Sequence, residues 1–100
     1  MLHRYFTYIL TNKNKTTFYT GVTNNLSLRL EQHHNDALNN KRSFAGLYKC
    51  IHLLYFEEYQ NIHHAIAREK EIKGWSREKK IGLIKTTNPE LVFLNNDGII

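Results

Sequence analysis

Three features of the sequence predict an α/β protein of the α+β kind: a small, mainly antiparallel three-stranded sheet flanked by helices, in the order β-β-α-β-α-α. Two aromatic and β-branched runs near the N-terminus are joined by a short polar turn. A third apolar run begins at Cys50, and helical periodicity fills the intervals after the second and third runs. With 100 residues, 41% of them hydrophobic, and no Pro- or Gly-rich stretch, the chain has room for one modest core. We expect a single domain over residues 1–94 and a polar tail over residues 95–100.

Residues 5–10 (Tyr-Phe-Thr-Tyr-Ile-Leu) have the β-branched and aromatic composition of a strand. The polar turn 11–15 leads to a second strand over 16–22, so the two form a hairpin. Asn24 or Asn25 is placed to cap a helix that starts near Leu26 and frays by Asn39 and Asn40. The run 50–56 is apolar on both faces, as expected of a central or near-central strand. A second helix runs from near Asn61 to Gly74, the usual left-handed stop, and Ser76 caps a third over 77–85 before Asn88-Pro89 breaks the pattern.

The formal net charge is +5, and residues 68–85 concentrate it, with seven Lys or Arg against three Glu. Such a patch attracts phosphates and makes a nucleic acid the leading partner. Cys50 is the only cysteine, which excludes an internal disulfide and a thiolate-rich zinc site and suits a reducing cytoplasm. The N-terminus lacks the apolar segment of a secretion signal, and the apolar runs are too short to span a bilayer. We therefore expect a cytoplasmic protein without membrane insertion; the sequence implies no obligate protein partner and leaves the oligomeric state open.

Polar residues on apolar stripes point to the chemistry. At about 100° per residue, Glu69 falls about 20° from Ile62 on the second helix, while Glu71 falls on the opposite, solvated face. A carboxylate is rarely turned inward without a metal, a cation or a proton. Arg29 and His33 lie on the stripe that Leu26, Leu30 and Ala37 define on the first helix. Tyr8 is central in the first strand. Tyr19 alternates to the face opposite Phe18 and Thr20, together with Gly21, a glycine whose place in a strand marks close approach of a ligand or of backbone. These groups suit phosphodiester hydrolysis. A carboxylate holds a hard divalent cation, an arginine clamps the phosphate oxygens, and a tyrosine or histidine orients or deprotonates the attacking water.

The spacing is specific. Phe6-Thr7-Tyr8 and Tyr19-Thr20-Gly21 stand eleven residues apart from tyrosine to tyrosine, Arg29 follows Gly21 by eight, His33 follows Arg29 by four, and Ala67-Arg68-Glu69 lies on the next helix. From Tyr5 to Asn88 the chain resembles the GIY-YIG nuclease superfamily, particularly its small single-domain members related to the N-terminal nuclease domain of the bacterial excision-repair subunit. The resemblance implies a metal-dependent endonuclease acting on DNA, with a place in DNA repair or recombination, and the short basic surface predicts cleavage that is structure-selective or weakly specific. It implies Glu69 as the single metal-ligating carboxylate for Mg²⁺, with Mn²⁺ as a substitute. Arg29 becomes the phosphate clamp, and Tyr8 and Tyr19 the phenols at the attacking water, one of them the general base. The first motif keeps only its tyrosine, and the central isoleucine of the second is Thr20, both changes at mainly structural positions. After Phe44, similar small members often carry Thr and Lys where this chain has Ala45-Gly46-Leu47. That departure is expected to weaken the hold on DNA, with Lys41, Arg42 and Lys49 placed to compensate.

DNA is thus the expected partner, bound through Lys41, Arg42, Lys49, Arg68, Lys70, Lys73, Arg77, Lys79 and Lys80. The pairs His33-His34 and His63-His64 do not chelate a metal as units, because neighbours on a helix point about 100° apart. No Gly-x-Ser-x-Gly elbow supports a serine hydrolase. The alternative class is a non-catalytic DNA-binding module with a vestigial nuclease site, using Ile62 to Lys85 as a helix-turn-helix.

Overall fold

A computed structural model describes residues 3–39 and 48–95. Its elements, in chain order, are β1 (Tyr5–Thr11), β2 (Phe18–Thr23), α1 (Leu26–Leu38), β3 (His52–Tyr59), α2 (Ile62–Lys73) and α3 (Arg77–Lys85), the predicted succession. Lys41, Arg42 and the Ala45-Gly46-Leu47 departure lie outside the described residues. No described helix is long and apolar enough to cross a membrane.

All three strands pair antiparallel in the order β2-β1-β3, so β1 is central. The third strand was expected at or near the centre and lies at the edge instead. Two devices explain why its composition misleads. Ile9 pairs with Tyr55 but Leu10 pairs with Leu53, which leaves Leu54 as the extra residue of a bulge. Leu54 and Tyr55 therefore both join the core on one side of the sheet, while Leu53 joins the other. The open edge is then covered by the segment after α3. Leu94 N donates to Leu53 O at 2.8 Å, Leu53 N donates to Asn95 Oδ1 at 2.9 Å, and Asn88 Nδ2 donates to Leu54 O at 3.0 Å. Backbone groups that would otherwise invite another strand are thereby satisfied. Asn95, assigned to the tail by composition, belongs to this covering; residues 96–100 lie outside the described set.

The alternation of β1 divides the core. Phe6, Tyr8 and Leu10 face Leu26 and Leu30 of α1, whereas Ile9 packs with Leu54, Tyr55, Ile72 and Ile84 beneath α2 and α3. The helix starts follow the capping residues. Asn25 accepts from Leu28 N at 3.1 Å, Asn61 from His63 N at 2.8 Å and Ser76 from Lys79 N at 3.2 Å, each bond worth about 1 kcal/mol. Gly74 ends α2 differently from expectation. Its φ of −81° is right-handed, and the turn closes through Trp75 N to Ile72 O at 3.0 Å, so no left-handed glycine is needed there.

The buried stripe of α2 is also rotated from the one the sequence suggests. Ile62 is 41% exposed, while Ala65 and Ile72 are fully buried. On an ideal wheel the inward direction therefore moves about 70° from Ile62, toward Ala65 and Ile72. Ala65 lets the helix lie close to the sheet, where its carbonyl accepts from Thr7 Oγ1 at 2.8 Å. Arg68 sets the rotation on one shoulder. It donates three hydrogen bonds of 3.0 to 3.2 Å to Glu57 of β3, and also reaches Glu71 and the Trp75 ring. Glu69, the next residue, is turned toward the opposite shoulder, the side of β2.

Candidate active site

Tyr8 and Gly21 are Cα partners across β1 and β2. A Cβ added at Gly21 would lie 2.5 Å from Tyr8 Oη and 2.7 Å from Cζ, closer than real Cβ atoms come. The glycine is needed because the Tyr8 ring lies across it; the close approach expected there is made by a side chain. The phenol then meets α1, where its hydroxyl is 2.9 Å from His33 Nε2. Tyr19 completes the cluster, with its ring centroid 5.0 Å from that of His33 and 6.2 Å from that of Tyr8.

Burial pushes the Tyr8 phenol well above its ordinary range. Neighbouring Tyr19 adds to the rise, and the Arg29 guanidinium offsets part of it. Burial and then the Arg29 charge lower His33 to about 4, with Asp36 acting weakly the other way. At neutral pH the pair is therefore a protonated phenol beside a neutral imidazole. Arg29 brings only donors to the phenol oxygen, so we assign the phenol proton to the bond with His33 Nε2. The guanidinium is steadied by Gln32, one turn on, whose Oε1 accepts from Arg29 Nη1 at 3.0 Å. Sequence reading missed Gln32; the signal available was its i+3 spacing from Arg29 on a helix.

The buried imidazole gives a pH signature. A histidine whose value is lowered on folding favours the native state above about pH 6.5, and that contribution is lost as pH falls toward 4, because the unfolded chain binds the proton first. The loss amounts to about 3 kcal/mol over this range. Urea melts of the wild type between pH 7 and pH 4 should show it, and those of His33→Gln should not. Parallel pH dependence in the two proteins would place the acid sensitivity elsewhere.

Glu69 approaches from the other side of the sheet. Its side chain is 20% exposed and forms an i,i+4 ion pair with Lys73, whose Nζ stands 3.4 Å from Oε1. Lys73 also lines, with Phe18, Tyr19, Thr20 and Lys80, a cavity of about 430 Å³ around β2. The edge strand β2 is thus where α2 residues from one face of the sheet approach Tyr19 from the other. Among the described residues no three His, Cys, Asp or Glu converge as a metal cluster. A lone carboxylate suits a hard divalent cation that keeps most of its waters, and does not suit zinc.

A family model described as the GIY-YIG catalytic domain matches residues 4–82. The chain belongs to this family. Relatives include UPF0213 proteins of several Staphylococcus aureus strains, among them Mu3 and Mu50, which are 33% identical over 69 residues, 69% of this chain and 80% of theirs. The fold is similar to the solution NMR structure of a UPF0213 protein from Bacillus halodurans, with a TM-score of 0.55 at 24% identity over 87% of this chain and 88% of that one.

Within this GIY-YIG domain the basic residues assigned to DNA divide into two groups. Lys73 and Lys80 line the cavity beside Tyr19, and Lys70 is exposed on α2. Arg68 is occupied by Glu57 and Glu71, and Arg77 holds the β1–β2 turn through the carbonyls of Lys15 and Thr16 and lies 4.4 Å from the Phe18 ring centroid. Lys79 lies 4.4 Å from the Trp75 ring centroid, and Lys49 Nζ donates to Ala37 O near the end of α1. Arg68 and Arg77 thus also hold the fold together, Arg68 through two carboxylates and Arg77 through backbone carbonyls. Composition shows a basic run but not which of its members are already paired.

Proposed function

We propose that the protein is a metal-dependent endonuclease that hydrolyses DNA phosphodiester bonds, with selection by DNA structure more than by sequence. The observation that carries this reading is the Tyr8–His33 couple laid over Gly21, with the Arg29 guanidinium facing the same phenol. Glu69 would hold a divalent cation such as Mg²⁺ or Mn²⁺, which when bound stabilises charge developing on the phosphate. Arg29 holds the non-bridging oxygens through paired donors, which a lysine does not reproduce. Tyr8 takes a proton from the attacking water while passing its own to His33 Nε2, so no phenolate accumulates in a site that disfavours one. The incoming phosphodiester charge raises the basicity of His33 and helps this transfer.

Lys70, Lys73 and Lys80 attract the DNA backbone, so binding should weaken steeply with salt. The test is cleavage of duplex, flap, branched and single-stranded DNA with Mg²⁺, with Mn²⁺ and with chelator. Cleavage that requires the metal and favours one of the non-duplex forms is expected. Salt-sensitive binding without cleavage under any metal condition would replace this reading with the DNA-binding module.

A further inference from the structure

A second cavity, of about 400 Å³, opens on the α1 side of the sheet between β1, β3 and the start of α1. Its floor is aromatic. Phe6 precedes Tyr8 by two residues on the same face, and Phe56 is the Cα partner of Tyr8 on β3. Their rings meet edge to face, 6.1 Å between centroids. Phe56 is 37% exposed, although its neighbour Tyr55 is buried. Arg4 stands at the rim, 5.4 Å from the Phe6 ring centroid and bonded through Nε and Nη2 to Glu58. Asn24 and Asn25 line the wall, and Asn25 O accepts from Arg29 N at 3.0 Å, so this wall and the phosphate-clamping arginine share one helical turn.

We propose that this cavity is a base-stacking subsite that receives the base of an unpaired nucleotide near the scissile phosphate, laid against the exposed ring of Phe56. The proposal rests on DNA being the substrate. An aromatic floor with a polar rim suits a nucleobase, whose faces are apolar and whose edge carries hydrogen-bonding groups. The volume lies in the range of small-ligand sites, and the chain's net charge of +5 draws in the backbone that carries the base. A base inside a continuous duplex has no free face to offer, so the subsite favours DNA with unpaired residues. Stacking tolerates any base, which gives selection by structure and little by sequence.

The chain has one tryptophan, so Trp75→Phe/Phe56→Trp carries a single fluorescent reporter, in the cavity. Titrated in chelator with oligo-dT, with a blunt duplex and with a duplex bearing a single-stranded flap, its emission should be quenched saturably by the first and third and little by the blunt duplex. Phe56→Ala and Phe56→Leu should each weaken oligo-dT binding about tenfold and leave blunt-duplex binding within about twofold. Absence of quenching, or equal losses on both DNAs, overturns the subsite. Because chelator removes the chemistry from the readout, quenching without cleavage in metal supports the subsite and sinks the nuclease reading, whereas cleavage without quenching does the reverse.

Discussion

Glu69→Ala should abolish metal-dependent cleavage, by about a thousandfold or more, while Glu71→Ala leaves the rate within about twofold. The two glutamates are two residues apart on α2 and differ in what the helix rotation does with them. Arg68 is bonded to Glu57 on one shoulder, while Glu69, the next residue, pairs with Lys73, which lines the cavity beside Tyr19. Glu71 is 54% exposed and touches the same arginine, which keeps Glu57 when Glu71 is removed. An exposed pair of this kind contributes at most about 1 kcal/mol, too little to shift the helix. Lys73 would lose its partner in the Glu69 variant, but at 3.4 Å and near the surface that loss is also small, so folding should be unchanged by circular dichroism. Inactivity of the Glu71 variant beside an active Glu69 variant would overturn the assignment of the carboxylate.

Tyr8→Phe should fold and bind DNA while losing between about a hundredfold and ten-thousandfold in single-turnover cleavage. Phenylalanine keeps the ring that packs over Gly21 and removes only the oxygen that relays the proton. The cost to the fold is the buried His33 Nε2 left without its phenol, about 1 to 3 kcal/mol. Gly21→Ala reaches the same phenol by another route. The new methyl would stand 2.5 Å from Tyr8 Oη and force the ring away from His33, so cleavage should fall although every catalytic side chain remains. The double variant should cleave little worse than Tyr8→Phe alone, since both changes remove one relay. Tyr19→Phe is the companion measurement. Wild-type cleavage by Tyr8→Phe with loss in Tyr19→Phe would transfer the base to Tyr19, and activity in both variants would leave His33 to act without a phenol.

What the sequence determined by itself is local. The β-branched and aromatic composition of residues 5–10 and 16–22, the capping asparagines and Ser76, and Arg29 and His33 on the stripe of Leu26 and Leu30 all depend on neighbours within a few positions, so composition and spacing suffice to read them. Other properties depend on partners distant in the chain. The apolar run at 50–56 looks central because both its faces are buried, but it is an edge strand in the order β2-β1-β3, and its two-sided burial comes from a bulge at Leu54 and from residues 88–95 that cover its open edge. The rotation of α2 is set by Arg68 reaching Glu57 and by Ala65 against Thr7, and neither contact leaves a mark on a helical wheel. Arg68 and Arg77 count as positive charge in composition, and only the tertiary structure shows Arg68 bonded to a carboxylate of β3 and Arg77 to backbone carbonyls of the β1–β2 turn. Glu69 reads on the helical wheel as an inward carboxylate, whereas in the tertiary structure it stands on a shoulder of α2, 20% exposed and paired with Lys73, which lines the cavity beside Tyr19. Periodicity records which side of an element is apolar; the direction that side faces is decided by the elements that pack against it.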